Sequence, residues 1–276
     1  MGGDMSYQFE ELTTLADERF GEKIDVPRDI RGVETLKVLL GRSTHRHFSK
    51  ETVSSELLQL LQACALSAPS KSDLQQVDIV NVTDIEVRKT VADLVGNMEW
   101  IKSSPVFLVI CGNGRRLRQI SQLHGESFAN NHFDAIFNPI VDAGLVLAHL
   151  LVACEAVGLG TCPISVIRDH ATSISSLLTL PSLTFPVAGV CIGWPVGSAP
   201  IVPRLPLSVT THSGVHNDDT VIDSVQAYDK RRGRQTGWCP EAPDFVGWSL
   251  QKARMYAKAQ RHDFGHYLLD QGFKFE

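Results

Sequence analysis

Two short runs of donor-rich residues are suited to holding a ligand. Arg42, Ser43, Thr44 and Arg46 follow the end of an expected helix and precede Phe48. Two guanidiniums so close in sequence, with hydroxyls between them, can converge on one phosphate, because arginine presents a planar fork of donors and the hydroxyls add more. The competing reading is a solvated charged turn. The second run, Ser70, Lys71, Ser72, Asp73, Leu74 and Gln75, follows Pro69 and leads into a strand. It suits the edge of a polar ligand, although an ordinary serine-rich turn has the same composition. The segment GLGTCPIS (158–165) ends a long apolar helix and reads equally well as a helix stop followed by an edge turn. There is no G-x-G-x-x-G after a strand and no Walker sequence, so nucleotide folds of those types have no support.

Other chemistry finds less support. His212/His216 and His262/His266 have the i, i+4 spacing that sets two imidazoles on one helix face. Gly214 interrupts the first pair and no glutamate adjoins the second, so no metal site is expected. The 6 cysteines, Cys64, Cys111, Cys154, Cys162, Cys191 and Cys239, form no C-x-x-C pair. Most lie in apolar surroundings, which fits reduced, buried thiols of a cytoplasmic protein rather than a disulfide framework. Cys162 has no base beside it, and no side-chain nucleophile or other catalytic side chain is expected.

The elements that must position these runs follow from periodicity and punctuation. Helices are expected over 7–20 (weakly), 33–40, 53–67, 84–95, 115–129, 138–157, 169–178, 218–230 and 248–270. Strands are expected over 77–82, 105–111 and 186–194, with 161–166 extended. The runs PVFLVIC and PVAGVCIGW are apolar throughout, the mark of a strand buried on both faces. Pro195, Pro200, Pro203 and Pro206 force an irregular path beyond the last strand. A basic loop, KRRGRQTGWCPEAP, joins the last two helices. Strands that do not alternate strictly with helices indicate α+β, a central sheet flanked by helices on both faces. Residues 1–32 read as an acidic arm and 33–276 as one domain with a C-terminal helical extension.

Composition narrows the class. Of 276 residues, 43% are hydrophobic and 21% charged, as in soluble globular proteins. The net charge of −5 provides no global positive field, so neither nucleic acid nor an anionic membrane is an expected partner. The longest nearly apolar stretch, 143–154, is short of the roughly twenty residues of a membrane span. The start, MGGDMSYQFEEL, lacks the basic and apolar regions of a secretory signal, and its Met1-Gly2 is read as an ordinary beginning.

Taken in order, GRSTHRHFS (41–49), LSAPSKSDLQ (66–75), the stretch 138–165, PVAGVCIGWP (186–195), PRLPL (203–207) and VQAYDKRR (225–232) resemble the flavin-dependent nitroreductase superfamily. The branch most resembled is that of oxygen-insensitive NADPH nitroreductases and NAD(P)H flavin reductases. The resemblance implies an intertwined α+β homodimer with a central mixed sheet. It implies one FMN per subunit in a groove at the dimer interface, and NADPH or NADH as electron donor. Arg42, Ser43, Thr44, Arg46 and Arg204 match positions around the FMN phosphate, ribityl and pyrimidine edge. Ser70, Lys71 and Ser72 match a flavin-contacting loop, usually the partner's. Pro163, Ile164, Ser165 and Val166 match the loop facing flavin N5, and Asn97 an amide near the pyrimidine ring. Arg232 and Arg234, in the basic loop, match a region that takes the 2′-phosphate of NADPH.

Three departures stand out. Asp73 replaces a common Asn, Ser165-Val166 replaces two glycines, and Val202 stands where a lysine often precedes the second phosphate arginine. The implied function is ping-pong reduction of nitroaromatics, quinones or flavins, small-molecule electron acceptors. The alternatives are a specialised reductive dehalogenase, flavin-fragmenting enzyme or enone reductase on the same fold, or a flavin-binding dimer without catalysis.

Overall fold

The computed structural model describes residues 5–235 and 247–276. Met1-Gly2, Cys239, the basic loop beyond Gln235 and the side chain of Arg234 lie outside what is described. The chain divides into two compact units. One comprises Met1–Ser43 and Ala199–Gln260, the other Thr44–Ser198 and Arg261–Glu276.

The first unit opens with helix α1, Met5–Phe20, and helix α2, Val33–Gly41. Leu12, Ala16 and Arg19 are buried in α1. Their spacing of four and three places them on one helical face, and that face packs with α2. Arg42 follows at the end of α2.

The second unit carries the sheet. Helix α3, Ser55–Leu66, is capped by the Ser54 hydroxyl, which accepts from the Leu57 N–H at 3.2 Å. Strand β1, Val77–Asn81, leads to α4, Ile85–Leu94, where the Asp84 carboxylate accepts from Glu86 and Val87 N–H groups. Then come α5, Glu99–Ser103, strand β2, Val106–Asn113, and α6, Arg115–Leu123. The long helix α7, Asp134–Ala156, precedes β3, Gly160–Ile164. Helix α8, Ala171–Leu177, and β4, Thr184–Gly193, complete this stretch.

The strands lie in the order β1-β2-β4-β3. β2 explains why its sequence is apolar at every position. Val106, Leu108 and Ile110 face a core built with Leu61, Ala65, Ala143 and Leu150 from α3 and α7. Phe107, Val109 and Cys111 face the other core, with Val91 and Ala92 of α4 and Ile174 of α8. The expected mixed sheet is corrected: every pairing between these strands is antiparallel. An apolar run reports burial on both faces and says nothing of strand direction.

The chain returns to the first unit with α9, Leu207–Thr210, α10, Val221–Gln235, and α11, Trp248–Tyr256. Tyr228 of α10 meets Trp248 of α11 edge to face at 5.4 Å. Helix α12, Phe264–Asp270, belongs to the second unit, where the Tyr267 and Ser175 hydroxyls share a hydrogen bond of 2.7 Å. Two expectations change here. The helix expected over 248–270 is two helices, interrupted before Arg261, whose φ is 52°. Residues 230–234, expected in a loop, lie in α10. Similarly, the helix expected over 115–129 stops at Leu123, just before Gly125 with φ 68°.

Candidate active site

In the first unit, arginines gather at the ends of two segments. Arg42 leaves α2, with Ser43 buried next to it. Arg204 lies in the PRLPL segment. Packing around its guanidinium and then the nearby Arg42 cation hold the Arg204 pKa below its ordinary value; Arg232 acts in the same direction. Arg232 reaches back one turn within α10 to the Tyr228 hydroxyl at 2.8 Å. That buried hydroxyl donates to the Pro203 carbonyl at 2.9 Å. Mutual repulsion among gathered cations is relieved by a polyanion, and guanidinium forks match phosphate oxygens. The donor set therefore fits the phosphate of FMN.

In the second unit, the 44–49 segment runs along the sheet. The His45 N–H donates to the Thr161 carbonyl at 2.9 Å. A Cβ on Gly160 would lie 2.8 Å from His45 Cγ, so the backbone approach requires glycine there. The Arg46 guanidinium sits 5.7 Å from the Trp100 ring centroid. The indole N–H of Trp100 is buried and has no hydrogen-bond partner among the described residues. Asn97, three residues earlier, has φ 56°, and its side-chain oxygen accepts from Lys102 at 2.7 Å. Pro163 and Ile164 end β3, and Ser165 and Val166 lead into a 3₁₀ turn, Val166–His170. The opening N–H groups of such a turn have no partner within it, so this backbone can donate to a ligand. Phe48, Met98, Trp100 and Val166 pack against one core, which brings the 44–46, 97–100 and 163–166 segments to the same side of the sheet.

The turn carrying Ser70, Lys71 and Ser72 lies elsewhere. It precedes β1, at the opposite edge of the sheet from β3. Three strand spacings separate those edges, roughly 14 Å. The Lys71 N–H donates to the Asp142 carboxylate of α7 at 3.1 Å, and the Ser70 hydroxyl accepts from the Gln75 N–H at 3.2 Å. Ser72, Asp73 and Gln75 have φ of 50°, 56° and 50°. Left-handed conformations of non-glycine residues store strain and cluster where ligands are held. A cavity of about 750 Å³ opens beside this turn. On its wall the Gln76 amide nitrogen and one Asp142 oxygen are buried without a hydrogen-bond partner among the described residues.

Four of the described cysteines, Cys111, Cys154, Cys162 and Cys191, are buried, whereas Cys64 is exposed on α3. Burial raises the Cys162 pKa and the Arg46 cation opposes the rise only in part, which favours the protonated thiol. Sequence reasoning missed Asp142 and Gln76, which shape the cavity, and Trp100, which holds Arg46. Asp142 left a signal as a lone carboxylate inside an apolar run; the other two left none.

Comparison with known proteins identifies the family. The profile of the Nitroreductase family matches residues 39–102 and 92–194, and that of the Nitroreductase family, C-terminal domain, matches 203–276. The chain is 31% identical over 246 residues to an FMN reductase [NAD(P)H] of Bacillus subtilis, covering 88% of this chain and 99% of that protein. It is 31% identical over 245 residues to an oxygen-insensitive NADPH nitroreductase of Salmonella typhimurium, covering 87% and 98%. Among solved structures, B. megaterium NfrA2 superposes with a TM-score of 0.84 at 32% identity, covering 88% and 99%. The NADPH:FMN oxidoreductase from Vibrio harveyi complexed with NAD+ gives 0.77 at 28% identity, covering 86% and 97%. With its sheet, arginine segments and nearly full length matched, the chain belongs to the nitroreductase family.

Proposed function

We propose that this protein is an FMN-dependent NAD(P)H oxidoreductase reducing nitroaromatics, quinones or flavins by ping-pong hydride transfer. The observation that carries the reading is the gathering of Arg42 and Arg204 in one unit, where Arg19 bonds the backbone at both, which suits a phosphate. When bound, FMN supplies the redox chemistry, accepting a hydride and passing reducing equivalents on; the protein supplies binding, orientation and electrostatics. Arg42, Ser43 and Arg204 hold the phosphate end. Thr44, Arg46 and Asn97 serve the ribityl and pyrimidine edge, and the 163–166 loop offers the ring its backbone N–H groups beyond Pro163, which has none. Donors aimed at the place where negative charge develops favour the reduced form. No side-chain acid, base or nucleophile is needed. Val166 packs against the core where relatives often have glycine, which favours a narrower acceptor range and keeps a specialised reductase as the second reading.

The site is completed in a homodimer, with Ser70, Lys71 and Ser72 contributed by the partner. Two observations support this: the 70–72 turn lies at the sheet edge remote from 163–166, and α7 exposes a row of large apolar side chains. We assign residues 1–32 to an N-terminal arm and 33–276 to the FMN-binding domain with its C-terminal extension. We place the protein in the cytoplasm, where its free thiols and NAD(P)H are at home.

Arg232 and Arg234 favour NADPH by offering guanidiniums to its 2′-phosphate. Steady-state kinetics with both donors tests the proposal. Lowered kcat/KM with NADPH alone in Arg232→Ala and Arg234→Ala, by about tenfold for each 1.4 kcal/mol lost, is the expected result. Equal losses with NADH remove these residues from donor choice, and failure to oxidise either donor removes the activity itself.

A further inference from the structure

The family profiles match the chain from residue 39 onward, so α1 precedes the matched region. The C-terminal end of α1 nevertheless makes dense contacts with the segments that carry the phosphate arginines. Arg19 is 5% exposed. Its Nε and Nη2 donate to the Leu40 carbonyl at 3.0 and 2.6 Å, its Nη1 donates to the Val202 carbonyl at 2.8 Å, and Nη2 also reaches the Arg42 carbonyl. In return, the Arg19 carbonyl accepts from the Arg204 N–H at 2.6 Å. One residue thus binds the backbone of both segments, at Arg42 itself and at Arg204 itself.

We propose that Arg19 is a positioning residue: it fixes the separation of Arg42 and Arg204 so that both guanidiniums reach one phosphate. The inference rests on the assignment of those two arginines to the FMN phosphate. A guanidinium spreads its donors over three nitrogens and so spans carbonyls on separate segments, whereas an ammonium has all its donors on one nitrogen. Neighbours hold the same end of the helix. The Glu22 carboxylate accepts from the Leu207 N–H at 2.9 Å and the Ser208 hydroxyl at 3.0 Å, securing the chain just after Arg204. Gly21 turns with φ +65°, and a Cβ there would lie 2.5 Å from Arg231 Cδ. Arg231 in turn donates to the Arg204 carbonyl. The segment ahead of the matched region thus braces the phosphate site.

The test measures Kd of the full-length, FMN-stripped protein for FMN and for riboflavin, which lacks the phosphate. Arg204→Ala is the control for the underlying assignment: it is expected to weaken FMN and leave riboflavin unchanged, and an unchanged FMN Kd sinks the phosphate site itself. Given that control, Arg19→Lys, which keeps the charge and loses the fork, is expected to weaken FMN by about tenfold or more with riboflavin unchanged. Added to Arg204→Ala, it is expected to have little further effect. Full FMN affinity in Arg19→Lys, or equal loss for both flavins, overturns the positioning role. Should Arg19→Lys fail to fold, Glu22→Ala decides. A raised ratio of FMN to riboflavin Kd supports the brace, and an unaltered ratio overturns it.

Discussion

At Cys111, Cys154 and Cys191 burial pushes the thiol pKa up to about 12, from an ordinary 9.0. The folded-state values are raised, so the stability these thiols contribute is fully present below about pH 9 and is lost as pH rises toward 12. Each thiol contributes a slope of about 1.4 kcal/mol per pH unit in that window. Urea midpoints are therefore expected to be insensitive to these groups between pH 7 and 8 and to fall steeply by pH 10. Cys111→Ala should show a shallower fall. An identical pH dependence in the variant contradicts the assignment. The residue scale also shows what a sequence can and cannot disclose. Arg42 to Arg46 stand out because cationic and hydroxyl residues crowd into one short run of sequence. Arg19 does not, because its partners are carbonyls 21 and 183 residues away. Strain at Ser72, Asp73 and Gln75 was equally silent, since no glycine marks it.

Among the elements, α7 joins the two halves of the proposal. With 23 residues it is apolar enough to cross a membrane by length and composition. Its inner face is occupied by α3 and the sheet, and it buries Asp142. Its outer face exposes Phe137, Ile140, Val141 and Leu145 at 49%, 38%, 42% and 36%. Their spacing of three and four makes one helical stripe, flanked by the small residues Gly144 and Ala148. A second copy of the chain is the occupant that would also bring a 70–72 turn to the site. Ile140→Glu is expected to yield monomers in light scattering and to lose bound FMN together. A variant that stays dimeric and fully loaded contradicts this placement. The apolar run made α7 legible. Single-turn α5 is not, because five residues have no period to read, and the cations of α10 read as a loop because a charge run lacks apolar partners.

For the whole molecule, the number and order of elements were readable where burial imposes a pattern, as in β2 and β4. Strand direction was not, because helices cover both faces of an antiparallel sheet as they would a parallel one. Nor was the division into two units, in which residues 1–43 join 199–260, since apolar periodicity does not say which core a helix enters. The function follows from the family and from the gathered arginines, and it makes one demand of the intact protein. Purified protein should carry a yellow flavin that, in anaerobic titration, is bleached stoichiometrically by NADPH or NADH and regains its colour on adding a quinone or nitroaromatic. A bound flavin that neither nucleotide reduces, or a protein that takes up no FMN, contradicts the proposed oxidoreductase.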